Sequence, residues 1–375
     1  MAQDGAEPAS TLDPPEAKRT ASTDTVPARR RGRGRLVSTV LLLTAMLVVS
    51  VLAGIALGST VVPIGDVLRY VGAALTGDTI TSEEVSGYTI IWEVRAPRVL
   101  LAAVVGAGLS VVGVAVQAMV RNALADPFVL GISSGASVGA AAAVVFGVFA
   151  SLGVFALSVA ALLGAFGASI LVYLASNSRA GLTPLRLVLT GIALAYGFQA
   201  MMSVLVFLAP KGEAARAVLF WLLGSLGGAT WGSLPLAAAG LIGCVIVLLL
   251  LSRPLDVLSM GDETAASLGV NAVSLRRWLF VLTSVVTGLL VAVSGAVAFV
   301  GLIMPHLVRI LVGSGHGRVL TVAPLAGAVF MVWTDIASRT LFAPEELPLG
   351  VITALIGVPV FITLMRRRGY LFGSR

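Results

Sequence analysis

A chain of 375 residues that is 58% hydrophobic and 11% charged, with a mean hydropathy of +1.01, is not a water-soluble globular domain, in which about one quarter of residues are charged. Apolar stretches near the roughly 20 residues needed to cross hydrocarbon recur after residue 36, so the fold class is an all-α polytopic membrane protein with no room for a soluble catalytic domain. The formal charge of +7 is therefore read by its placement in loops, and no nucleic-acid partner is expected. The single cysteine, Cys244, lies in an apolar run and has no intramolecular disulfide partner.

Residues 1–35 are rich in Ala, Pro, Thr, Asp and Glu and end in Arg29, Arg30, Arg31, Arg33 and Arg35, which predicts a disordered cytoplasmic tail closed by a topogenic cluster. The apolar run from Leu36 to about Gly58 exceeds the roughly 7–15 residues of a signal-peptide core and is read as a retained first span. Ten candidate spans follow from the apolar runs: 37–57, 99–119, 128–149, 153–176, 186–208, 234–251, 278–296, 298–313, 319–340 and 349–365. The eighth is short and carries Pro305 and Arg309. It is kept because ten passes, unlike nine, put both the N-terminal arginines and Arg366, Arg367 and Arg368 inside. The membrane domain then covers 36–368, with a cytoplasmic tail at 369–375 and both termini cytoplasmic. The same parity places Arg121, the loop "SNSRAGLTPLR", the loop 252–277 with Arg253, Arg276 and Arg277, and "GSGHGR" inside.

Three arginines fall outside against that bias: Arg95 and Arg98 at the start of the second span, and Arg339 at the end of the ninth. Arg95 and Arg98 are three residues apart, hence neighbours on one helical face. Snorkelling to lipid phosphate explains each alone. Together they predict a cationic outer rim that meets an acidic partner.

The stretch "RNALADPFVLGISSGASVGA", residues 121–140, interrupts the apolar pattern. Asp126 before Pro127 is a helix-start signal, because an Asp side chain accepts a first-turn N–H and proline has none to leave unpaired. Gly131, Gly135 and Gly139 recur every four residues and predict close helix packing. "GISSG" also matches the G-x-S-x-G nucleophile elbow, but that motif needs a preceding strand, a histidine and an acid. Membrane helix flanks it here, and the only histidines are His306, read as a polar residue at a helix end, and His316 in a short loop. No metal site is expected from this composition, and no phosphate-binding GxxxxGK[ST] loop occurs.

"SRPLDVLSMGDETAASLGVNAVSLRR" reads as two short helices, with Asp262 capping "ETAASL", Glu263 in its first turn and Gly269 as its stop. Ala265 and Ala266 make this helix thin, and Leu268 ends it, a form suited to a partner's groove.

Three stretches together resemble the FecCD-type permease subunits of ABC importers for iron-siderophore complexes, haem and cobalamin. They are "RAPRVLLAAVVGAGLSVVGVAVQAMVRNALADPFVLGISSGA", "MGDETAASLGVN", and "SGAVAFVGLIMPHLVR" through "ELPLGVITALIGVPVFITLMRR", and the resemblance covers about residues 60–368. It implies the type II permease fold of about ten transmembrane helices in a bacterial cytoplasmic membrane. The implied partners are a second permease chain, identical or related, two cytoplasmic ATPases carrying ATP and Mg, an extracytoplasmic substrate-binding protein, and membrane lipid. By position, Arg95, Arg98 and Arg339 resemble the arginines that dock the binding protein. Gly261, Asp262, Glu263, Ala265, Ala266, Leu268 and Gly269 resemble the coupling helix that receives the ATPase stroke. Asn122 and Leu124 match one side of a cytoplasmic gate, and Thr183 and Pro184 in "LTPLR" lie in the other gate loop, where a hydroxyl pair seen in some relatives is replaced around Pro184 and Leu185. The resemblance implies a non-enzymatic chain without its own cofactor, with a ferric siderophore as cargo and cobalamin or haem as alternatives. An ion-coupled secondary transporter is the rival class; Asp335, near an outer helix end, is a poor candidate for its ion site.

Overall fold

The computed structural model describes residues 26–367 apart from 59, 179–180 and 210–211; the expected C-terminal tail and residues 1–25 of the N-terminal tail lie outside the described residues. In chain order the helices are α1 (Val26–Ala56), α2 (Ile64–Thr76), α3 (Val85–Tyr88), α4 (Ala96–Val120), α5 (Ile132–Phe146), α6 (Ala156–Ser176), α7 (Pro184–Phe207), α8 (Gly212–Leu222), α9 (Leu234–Leu250), α10 (Ser252–Ser259), α11 (Asp262–Ser267), α12 (Ala272–Ser294), α13 (Val300–Val312), α14 (His316–Thr340) and α15 (Leu349–Arg367). No strand occurs among the described residues. Since α1 begins at Val26, the chain from Arg29 to Arg35 is helical and continuous with the first span.

Among the described residues seven helices are long and apolar enough to cross a membrane, or eight if α9 and α10, bent by 64°, are counted as one span. The third and eighth expected spans are shorter: α5 has 15 residues and α13 has 13. At 1.5 Å per residue these reach only about 20 Å of a core near 30 Å. Ten passes is therefore an approximate count. The second span starts earlier than expected, because a π-helical stretch, Thr89–Arg95, joins α3 to α4. Pro97 lacks an N–H for the carbonyl four residues back, and the wider turn just before it makes room for its ring.

Helix α4 is the axis of the molecule. It is buried along nearly its whole length and packs against α9, α12, α13 and α14. At its middle a Cβ on Gly113 would stand 2.0 Å from the Gly301 carbonyl oxygen of α13, so only glycine allows this approach. The strip expected on α5 packs against α6: a Cβ on Gly135 would meet the Ala168 Cβ at 2.2 Å, and one on Gly139 the Ala160 oxygen at 2.1 Å. Gly131 serves differently. It adopts φ +74 after a 3-10 turn, Pro127–Leu130, and re-aims the chain, so α5 begins at Ile132 rather than at Asp126.

The broken spans satisfy each other's backbone, as hydrocarbon requires. Pro305 has no N–H for the Gly301 carbonyl, and the Gln117 amide of α4 donates to that oxygen at 3.3 Å and to Leu302 O at 3.2 Å. Asp126 accepts the N–H of Phe128 at 2.9 Å and that of Phe299, ahead of α13, at 3.3 Å. One buried carboxylate thus holds the starts of both interrupted segments.

A Gly139→Val substitution should lower the thermal stability of the purified protein by the equivalent of about 1–3 kcal/mol, the usual cost of overpacking. Gly167→Ala on α6, where an added Cβ meets nothing within 4 Å, should be neutral or slightly stabilising. Melting curves in detergent compare the two; equal behaviour would contradict the packing role of the α5 strip.

Candidate functional site

The two ends of the bundle are called outer and inner after the orientation expected from loop charge. At the inner end, Arg276 on α12 has no exposed surface. Its guanidinium donates to Met119 O at the end of α4 (3.2 Å), to Leu182 O ahead of α7 (2.8 Å), and to the Asp262 carboxylate of α11 (2.8 Å). Asp262 lies also 3.7 Å from Arg121, whose left-handed backbone ends α4. Thus α11 is bolted to two turns of the membrane domain through one side chain.

Asp262 is consequently not the cap that its place in the sequence suggests. Gly261 holds the N-cap position at φ +118, Asp262 is the first helical residue, and its carboxylate faces Arg276. Gly269 does supply the stop: it sits at φ +78, and Val270 N–H returns to Ala265 O at 2.8 Å. Ala265 is buried, whereas Glu263, Ala266 and Leu268 are exposed, Leu268 by 59%.

The residues matched to the gate lie beside this hub. Asn122 caps its own turn, accepting Leu124 N–H at 2.9 Å, and Leu124 faces a narrow crevice with Leu302, His306, Phe361 and Met365. Thr183 and Pro184 begin α7 immediately after Leu182. Arg276 therefore brings both turns to one guanidinium, a link that loop-charge reasoning missed because it recorded Arg276 only as an inside charge. A cavity of about 580 Å³ opens next to Asn122, lined among others by Gln117, Arg121, Asp256, Arg309 and His316. Asp256 closes its far wall by accepting from His316 N–H at 2.9 Å and pairing with the His316 ring at 2.6 Å.

At the outer end the expectation of three open cations needs correction. Arg95, Arg98 and Arg339 are each only 5–6% exposed. Arg95 donates to Ile55 O (3.1 Å) and Ala56 O (2.9 Å), and Arg339 to Gly54 O (2.9 Å) and Leu57 O (3.0 Å), so both cap the C-terminal carbonyls of α1. Arg98 pairs with Asp335 at 2.8 Å and, two-pronged, with both Glu346 oxygens at 2.8 Å. The second Asp335 oxygen stands 2.9 Å from Arg339, close enough for an ion pair though misaligned for a hydrogen bond. Span parity counts charges and cannot reveal acceptors that other helices bring to them. Of the carboxylates involved, Asp335 is fully buried, while the Glu346 side chain is 37% exposed.

Beside this network, a cavity of about 600 Å³ lies between α8 and the end of α12, lined by Ser158, Arg216, Phe220, Trp221, Ser225 and Gly295 among others. Its size suits an organic molecule rather than a bare ion. The elbow serine, Ser133, is buried at the start of α5 and follows a 3-10 turn, not a strand. Among the described residues no group of three His, Cys, Asp or Glu could hold a metal ion.

Residues 46–367 match the model of the FecCD transport family. The hemin transport system permease of Yersinia pestis is 39% identical, covering 74% of this chain and 84% of its own. The molybdate import system permease of Haemophilus influenzae is 36% identical, covering 86% of this chain and 94% of its own. Among solved structures, a metal-chelate type ABC transporter in an inward-facing conformation superposes with a TM-score of 0.75 at 32% identity, over 89% of this chain and 100% of that one.

Asp335→Asn should be the most damaging single change at the outer end. It leaves two buried guanidinium groups under-compensated, a loss of about 3–5 kcal/mol for breaking a buried pair. Glu346→Gln, at a part-exposed position, should cost much less. Thermal unfolding of both variants reads the difference, and equal stability would contradict the network.

Proposed function

The chain belongs to the FecCD transport family, and from that premise we propose that it carries a ferric siderophore across the cytoplasmic membrane, with the Arg276 end and both termini inside. It is a multi-pass permease subunit of an ABC importer and not an enzyme; ATP hydrolysis lies in partner subunits. The observation that carries the mechanism is the seating of α11. Its Asp262 is tied through Arg276 to Met119 and Leu182, while Ala266 and Leu268 face outward, free to enter an ATPase groove. A push on α11 is then delivered to the Asn122–Leu124 turn and to Thr183–Pro184 at the inner mouth.

Docking of a binding protein at the outer end fits an exchange of carboxylates. Glu346 is part-exposed and holds Arg98 by both oxygens, so an incoming carboxylate can take its place without stripping the buried Asp335. Arg95 and Arg339 shape that end by fixing α1. The cavity with Arg216, Phe220 and Trp221 supports an anionic organic cargo such as a siderophore complex. The named relatives include hemin and molybdate permeases, and haem or cobalamin stays the alternative cargo. The secondary-transporter reading loses its ion site, since Asp335 is engaged by two arginines.

The test is reconstitution of the permease with its ATPases and binding protein in proteoliposomes. Uptake should stop when ATP is withdrawn with the membrane potential held. Ala266→Asp should leave insertion and ATP hydrolysis intact but abolish uptake, and Arg98→Glu should weaken binding-protein engagement, as added salt does. Normal uptake by a well-inserted Ala266→Asp protein would remove the coupling assignment, and unaltered docking of Arg98→Glu would remove the exchange. The cargo is identified by the compound that the purified binding protein retains; one that is not a ferric siderophore overturns that part.

A further inference from the structure

Two adjacent arginines on α12 have opposite fates. Arg276 is sealed in the inner hub, while Arg277, about 100° further round the helix, is exposed and has no ion-pair partner among the described residues. It stands at the inner end of a crevice of about 270 Å³ between α6 and α12, lined also by Phe166, Ser169, Tyr173, Phe280 and Ser284. The crevice exists because the facing residues are small: Ser169 and Ser284 sit between aromatic side chains, with the Tyr173 and Phe280 rings 6.3 Å apart at one end. Ser169 returns its hydroxyl to Ala165 O at 2.8 Å, whereas the buried hydroxyl of Ser284 finds no partner among the described residues. The rim is open and apolar, with Ile170 58% and Val281 43% exposed, and Trp278, the next residue after Arg277, is 68% exposed.

We propose that this crevice is a binding site for an anionic phospholipid of the inner leaflet, with an acyl chain between α6 and α12 and the headgroup phosphate at Arg277. A crevice of about 270 Å³ has room for a segment of one acyl chain. A polar solute would lose its hydration on this lining without recovering it. The unpaired cation at the membrane boundary, beside an exposed tryptophan, matches a headgroup in place and in charge. The lipid would brace α12, the helix that carries Arg276. The inner-leaflet assignment rests on the orientation proposed above.

Full-length protein, reconstituted in bilayers of phosphatidylglycerol and phosphatidylcholine and then released for native mass spectrometry, should retain phosphatidylglycerol preferentially. Arg277→Gln should cut that preference about fivefold, the effect of one cation near a charged headgroup. Val281→Phe, which fills the open crevice from an exposed position, should lower retention of both lipids. Unchanged retention in both variants overturns the proposal. So does a change in oligomeric state by Val281→Phe with lipid unaffected, which would give the crevice to a second copy of the chain. Arg277→Cys in a Cys244→Ser background should react with a membrane-impermeant maleimide only from the inner side. Reaction from the outer side overturns the orientation and the inner-leaflet assignment, while the retention measurements still report on the crevice itself.

Discussion

A guanidinium with no exposed surface cannot be left to itself in a membrane protein, because an uncompensated buried charge costs several kcal/mol. Arg276 meets that demand with acceptors from three places: the end of α4, the turn before α7, and α11. None of these is near the others in sequence, and one side chain ties all three to α12. Arginine suits this task because its fork presents several donors in fixed directions, which a lysine ammonium cannot reproduce. The inner mouth and the exposed face of α11 are, on this account, parts of one rigid unit.

The same demand for partners shapes the interrupted and outer parts of the bundle. Where α13 loses a hydrogen bond to Pro305, Gln117 replaces it, and where two segments begin in the interior, Asp126 serves both. At the outer end, α1 finishes in carbonyls that Arg95 and Arg339 satisfy, and Asp335 balances the cations gathered there. Polar residues in this chain are few, and most of those buried have a definite acceptor or donor to serve. At the outer end Glu346 is both two-pronged on Arg98 and part-exposed, and the proposed exchange with a partner's carboxylate rests on that combination.

Apolar runs located most helix ends to within a few residues, though not the starts of the first two spans, and Asp-Pro and Gly269 marked real punctuation, because these features act locally. The break after Asp126 was legible; that it opens with a 3-10 turn and a positive-φ glycine was not, since both arise from packing of Gly131 near α7. The α5 glycines stood out by their spacing of four, whereas Gly113, which meets Gly301 far along the chain, has no such regularity. Charges misled for the same reason. Arg95, Arg98 and Arg339 looked free because most of their acceptors lie far along the chain, on α1, on α14 and in the turn before α15, while the Asp335–Arg339 pair alone is within one helical turn; Arg276 looked like a loop charge because Leu182 and Asp262 are non-local partners.

The central claim is that Arg276 and Asp262 act as one link between α11 and the inner mouth. The direct measurement is cargo transported per ATP hydrolysed, in a double-substitution cycle of Arg276→Lys and Asp262→Asn on reconstituted importer. The account predicts that each variant lowers the ratio and that the double variant is no worse than the more impaired single one, the signature of residues acting through one contact. Independent, additive losses, or an unchanged ratio in correctly inserted Arg276→Lys protein, would contradict it.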